Sequence, residues 1–215
     1  MEALEAPQQR WKRRKDERPR EILDAALSVF SEKGFAEARV DDIAKAAGVT
    51  KGTVYLYFDS KEAVFKELLA ETFGERFSDI SRMIDGYEGS MADLLAAVLR
   101  YLGNFVRTSD RVGLPKIVIA EIGRFPELAR FYRTEVIGRG MKIWEGIIGR
   151  GIVRGEFRDI PIEHAIRLCI APILLAAIWR TTFAEFDSEP YNLEALIETH
   201  IDVLLRGLAK EDAKS

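Results

Sequence analysis

The segment from Thr50 to Lys61, TKGTVYLYFDSK, sets hydrogen-bonding side chains around a backbone left bare at Gly52. Lys51 offers an ammonium, Thr53 a hydroxyl, Tyr55 and Tyr57 phenols, and Lys61 a second ammonium. No nucleophile stands beside a base here, and no metal-ligand spacing is present. What these residues can do is donate. A lysine can reach a guanine edge, and hydroxyls and the N–H groups that open a helix can hold phosphate oxygens. Lys51 and Thr53 are the candidates for base edges. Thr50, Gly52, Tyr55, Tyr57 and Lys61 are candidates for phosphates. The chemistry on offer is recognition of a polyanion, and the plain alternative is the solvated polar face of an ordinary three-helix core.

Two short helices and the start of a third must position these groups. Val40, Ile43, Ala44 and Ala47 recur at helical spacing and give the first helix one apolar face. Gly48 suits the left-handed conformation that ends a helix. Val49 can plug the corner, and Thr50 can cap the next helix. That second helix buries Val54 and Phe58, and Ser60 caps a third beginning at Lys61. Helix, glycine turn and helix make a helix-turn-helix, whose second helix can enter the major groove of DNA.

Gly34-Phe35, Asp42-Ile43-Ala44, Ala47-Gly48-Val49, Lys51-Gly52-Thr53-Val54-Tyr55, Tyr57-Phe58 and Lys61-Glu62 resemble the DNA-binding domain of the tetracycline-repressor (TetR/AcrR) family. The resemblance runs without gaps from about Arg20 to Leu69. It implies an all-α homodimer that represses transcription, with an effector pocket in the C-terminal part and a dimer interface on the last two helices. One residue departs from the family pattern. Arg39 stands where many members carry a capping Ser or Thr, although Asp41 and Asp42 still suit the positive end of that helix. Arg39 joins the phosphate candidates.

With 215 residues, 47% hydrophobic and 31% charged, the chain can bury a sizeable core. Its net charge of −3 argues against a protein that coats nucleic acid, but the charge is uneven. Residues Arg10 to Arg20 hold seven basic and two acidic side chains. The expected organisation is a flexible basic arm over 1–18, a helix-turn-helix domain over 19–62 and an effector-binding and dimerisation domain over 63–215. The first helix is expected to begin near Pro19 and to close at Gly34. A long helix from Lys61, ending at Gly86, is shared between the two domains.

Phe73, Phe77, Phe105, Phe131, Met141, Trp144 and Trp179 are candidates to line a pocket for a small, largely apolar effector, although aromatic and Met stripes also make ordinary core. The run LCIAPILLAAIW and the last helix supply the expected two-fold seam through Leu175, Ile178, Leu193, Leu196, Ile197, Ile201, Leu204 and Leu205. An intrachain bundle would use the same residues. Cys169 rules out an intrachain disulfide and reads as a small buried hydrophobe; His200 reads as an interface or surface residue. No phosphate-binding glycine loop, nucleophile elbow or metal-binding helix signature occurs, so neither an enzyme nor a cofactor is expected. The contiguous apolar run Leu168–Trp179 is shorter than the ~20 residues a membrane span needs, and no signal peptide is evident, so the expected compartment is the cytoplasm, with no membrane partner. The expected partners are an inverted-repeat operator, a second copy of the chain and the effector. Two other readings stay open: a constitutive DNA-binding protein without effector, and a helical small-molecule binder that no longer uses its helix-turn-helix.

Overall fold

A computed structural model describes residues 7–121 and 123–210, with residues 7–16 described by backbone alone. Among the described residues the chain is all-α: α1 Pro7–Glu37, α2 Val40–Ala46, α3 Lys51–Tyr55, α4 Lys61–Ile84, α5 Met91–Thr108, α6 Leu114–Glu121, α7 Pro126–Phe131, α8 Arg139–Val153, α9 Ile162–Thr182 and α10 Leu193–Leu208. A π-helical stretch, Tyr132–Gly138, joins α7 to α8, so the two run on as one helix that is locally widened. One isolated bridge pairs Phe157 with Ala209.

Helix α1 begins earlier than expected. It runs from Pro7 through Pro19, which sits inside the helix rather than in its first turn. A proline removes one N–H donor without forbidding the turns on either side. Backbone described as helical therefore replaces the expected flexible arm from Pro7 onward. The side chains of the basic cluster, Arg10 to Lys15, lie outside the described residues. Gly34 interrupts α1 with φ 77° and ψ 162°.

The packing forms two compact units, Met1–Glu71 with Ile117–Ala129, and Thr72–Lys116 with Arg130–Ser215. The division differs from the expected boundary at 62/63. Val64, Phe65, Leu68 and Leu69 of α4 are fully buried, and Phe65 packs its ring against Phe30 at 5.2 Å and Phe35 at 5.0 Å. These contacts hold the first turns of α4 in the first unit. The end of α6 joins them: the Glu121 carboxylate accepts the Ala36 N–H at 3.1 Å, and Phe125 meets Phe35 edge-on at 4.9 Å.

The second unit builds its core from α5, α8, α9 and α10, with Met91, Leu95, Leu99, Trp144, Ile147 and Ile197 among its buried residues. Ser90 caps α5, and the Glu156 carboxylate accepts both the Ser90 hydroxyl and the Met91 N–H. Gly103 admits close packing, because a Cβ there would lie 2.7 Å from the Ile197 side chain. Helix α9 is longer than its contiguous apolar run suggested. It spans 21 residues with a mean hydropathy of 1.7 over its most apolar 18-residue window, so by length and composition alone it could cross a bilayer. The sequence run was cut short by Arg167 and Arg180, but the helix continues through both. Its inner face, Ala165, Ile166, Cys169, Ile173, Ala176 and Ala177, is buried in the second unit.

Candidate nucleic-acid interface

Helices α2 and α3 form the expected pair. Gly48 adopts φ 64°, and its N–H and that of Val49 turn back on α2, to Lys45 O at 3.2 Å and Ala44 O at 2.9 Å. A residue with a Cβ would be strained at that φ. Thr50 then caps α3: its Oγ1 accepts the Thr53 N–H at 3.1 Å, and the two hydroxyls lie 2.9 Å apart. Val54 is completely buried and Phe58 nearly so, which fixes the rotation of α3 about its axis. Lys51, Gly52 and Tyr55 are exposed, and Thr53 and Tyr57 half-buried.

Hydrogen bonds and ion pairs within the chain already engage several of these groups. Lys51 donates to Asp41 Oδ2 at 2.8 Å across the turn, and that hydrogen bond holds its ammonium above the ordinary lysine value. Arg39 precedes α2 with no side-chain cap. Instead its backbone N–H donates to Asp42 Oδ2 at 3.0 Å, leaving the guanidinium exposed. Asp42 in turn accepts from Lys33 at 2.7 Å, which holds its carboxyl below the usual value, with the Arg39 N–H adding to the effect.

Lys61 does not stand as a phosphate-binding ammonium. Its Nζ donates to the carbonyls of Phe35 at 2.7 Å and Ala36 at 3.0 Å and lies 4.6 Å from the centre of the Phe35 ring. The C-terminal carbonyls of α1 and a ring face draw the cation inward, where it satisfies acceptors left over at a helix end. Ser60 caps α4 as expected, accepting the Ala63 N–H at 3.1 Å.

Leu56 was not among the sequence candidates. It is 81% exposed, while Val54 two residues earlier is fully covered. Helical spacing from Val54 could have found it: a residue two further along points to the opposite side.

Among the described residues, the seven effector candidates face several different neighbours. Phe73 and Phe77 lie 6.5 Å apart, with Tyr132 edge-on to Phe73 at 5.9 Å. Arg139 stands over Phe77 and Arg76 over Phe105. Trp144 belongs to the buried core, with Met141 packed against it. Trp179 turns the other way, stacking on Phe183 and Tyr191 and donating to Asp187 at 2.7 Å. Phe131 is half-buried. The aromatic stripe is divided because its members sit on several helices and face different neighbours. Two cavities lie elsewhere: a groove of about 550 Å³ in the first unit lined by Arg20, Tyr57, Asp59, Glu67 and Glu71, and one of about 210 Å³ between α5 and α10.

The interface candidates also divide. Leu193, Ile197, Ile201 and Leu204 are buried within the second unit, so that stripe of α10 covers the chain's own core rather than facing outward. Leu196, Leu205 and Ile178 are half-buried. Leu175 is 59% exposed, as is Leu168 seven residues earlier on α9. Val203 on α10 is exposed as well. Cys169 is fully buried, which pushes its thiol up to about 12, and its carbonyl pairs with half-buried His200 at 3.1 Å.

Two family descriptions match the chain: "Bacterial regulatory proteins, tetR family" over residues 22–68, and "Tetracyclin repressor-like, C-terminal domain" over residues 87–189. The transcriptional repressor KstR2 of Rhodococcus jostii (strain RHA1) is 27% identical over 197 residues, 91% of this chain and 93% of that protein. The transcriptional regulator YdeS of Bacillus subtilis (strain 168) is 30% identical over 154 residues, 71% of this chain and 74% of that protein. Among solved structures, the transcriptional regulator FadR of Bacillus subtilis in complex with stearoyl-CoA superposes with a TM-score of 0.68 at 25% identity, covering 87% of this chain and 98% of FadR.

Proposed function

This chain belongs to the tetR family of bacterial regulatory proteins, and from that premise we propose a homodimeric transcriptional repressor that binds an inverted-repeat operator and is released by a small, largely apolar effector. The carrying observation is α3. Buried Val54 anchors it, its first turn is capped, and Lys51, Gly52 and Tyr55 are turned to solvent. Lys51 and Thr53 read base edges; Thr50, Gly52, Tyr55, Tyr57 and the exposed Arg39 guanidinium hold phosphates. The second copy docks on α9, whose apolar outer face includes Leu168 and Leu175. The protein acts in the cytoplasm, where its DNA is.

The effector reading rests on the stearoyl-CoA complex of FadR. The rings of Phe73, Phe77 and Tyr132, with the Arg76 and Arg139 guanidiniums over neighbouring rings, suit an acyl chain joined to an anionic group. Binding there shifts the dimer only by its differential affinity for two states, and α4, which continues from one unit into the other, transmits the shift. A second reading, a constitutive repressor without effector, draws support from the scatter of the seven candidate lining residues.

Selection of bound sequences from random duplex DNA, at a stated salt concentration, tests the repressor reading. An inverted repeat with half-sites about 34–36 Å apart is the expected outcome. Weak, salt-sensitive binding without a motif would overturn it. Addition of long-chain acyl-CoA to the bound complex then separates the two readings: release supports the effector, and unchanged binding across acyl lengths supports the constitutive form.

A further inference from the structure

The most exposed large apolar side chain in the helix-turn-helix is Leu56, at 81%. Its backbone continues α3, with φ −70° and ψ −21° and its N–H bonded to Gly52 O at 3.2 Å. At about 100° per residue, Gly52 and Leu56 lie one turn apart on the side opposite Val54. Gly52 carries no side chain, so Leu56 is what this outward face presents. Tyr55 flanks it on one side and Thr53 on the other.

A single leucine is too small a patch to dock a protein, which needs several hundred Å² of continuous apolar surface. The exposed cations of the same helix-turn-helix, Arg39, Lys45 and Lys51, suit a polyanion instead. On the floor of a major groove the apolar feature of matching size is the C5-methyl of thymine. Bare Gly52 lets this face approach closely enough for that contact.

We propose that Leu56 is a specificity-determining residue that packs on a thymine methyl within each operator half-site. The assignment rests on the DNA-binding reading above and deepens it by naming one base. The contact selects thymine over cytosine, which lacks the methyl, without using a hydrogen bond. Removing it loses the burial of about one methyl group, on the order of a fourfold change in affinity.

The test pairs one protein variant with one atom of DNA. The operator recovered by selection is synthesised with each thymine replaced in turn by deoxyuridine, which deletes only the methyl. Affinities of the unaltered protein and of Leu56→Ala are measured by fluorescence anisotropy at one salt concentration. Because Leu56 is largely exposed, the variant keeps its fold, checked by circular dichroism and thermal midpoint. The expected result is a thymine position in each half-site where deoxyuridine weakens the unaltered protein about fourfold and leaves Leu56→Ala unchanged. If every deoxyuridine duplex affects both proteins equally, the Leu56 assignment is overturned while the DNA-binding reading stands. If the unaltered protein prefers no sequence, both fall together.

Discussion

Lys51 of α3 and Asp41 of α2 form an ion pair of 2.8 Å that closes over the turn between the two helices. The cation best placed to reach a base is thus already partnered in the chain without DNA, and binding must exchange that partner for another. Asp41 also brings a negative charge to the surface proposed to meet the duplex. Asp41→Asn should therefore tighten binding to DNA of any sequence, and Lys51→Ala should weaken the selected operator by on the order of tenfold. Parallel titrations on selected and scrambled duplexes check both. Unchanged affinity in Asp41→Asn would mean that the pair does not compete with DNA.

Lys61 is expected to matter for folding rather than for DNA. Lys61→Met leaves the Phe35 and Ala36 carbonyls without their donor and should lower the stability of the first unit by about 1–3 kcal/mol. Operator affinity, measured well below the melting temperature, should stay within about twofold of the unaltered protein. Chemical denaturation and a titration on the same sample separate the two effects. A large loss of affinity with unchanged stability would restore Lys61 as a DNA contact.

Leu175 and Ile197 should separate association from folding. Leu175→Asp places a charge on the exposed face of α9 and should shift the dimer to monomer in sedimentation velocity, with far-ultraviolet circular dichroism preserved. Ile197→Ala opens a cavity beside Gly103 and should cost about 2–5 kcal/mol of stability. The reverse pattern would place the seam on α10 instead of α9.

The acid limb of stability should depend on Asp79. Its carboxylate accepts the Tyr101 hydroxyl and pairs with Arg82, and these contacts hold its pKa below 3.8. A depressed carboxyl stabilises the folded state above its unfolded value, and the benefit is lost as pH falls through the lower, folded one. Asp79→Asn should therefore be less stable than the unaltered protein at pH 7, with the gap closing below pH 3.8. Urea midpoints at pH 7 and pH 3 check this. An equal gap at both would assign the effect to packing.

The positions readable from sequence were those governed by near neighbours. Gly34, Gly48 and Gly86, each expected to end a helix, all adopt positive φ. Thr50 and Ser60 cap the helices that follow them as expected, because a cap acts within three residues. The inward turn of Lys61 was not readable, because its acceptors lie 25 and 26 residues away. The α10 stripe was readable as apolar, but periodicity cannot say whether a stripe covers its own core or a partner's. The grouping of the aromatic residues was hidden for a related reason: a ring's helical position does not show which neighbour it turns towards. Leu56 carries no hydrogen-bonding group, so a search for donors passes over it although it is 81% exposed.

The short stretch that carries Glu121 and Phe125 bears on how such proteins can be recombined. It reaches the first unit from Lys116 and leaves at Arg130, both of which belong to the second. A hybrid made by grafting residues 1–71 onto the remainder of another regulator would inherit a different stretch here. The Ala36 N–H would lose its carboxylate and the Phe35 ring its edge-on neighbour. The DNA reader is therefore not a cassette cut at one bond: transplanting it intact means carrying residues 117–129 along with it.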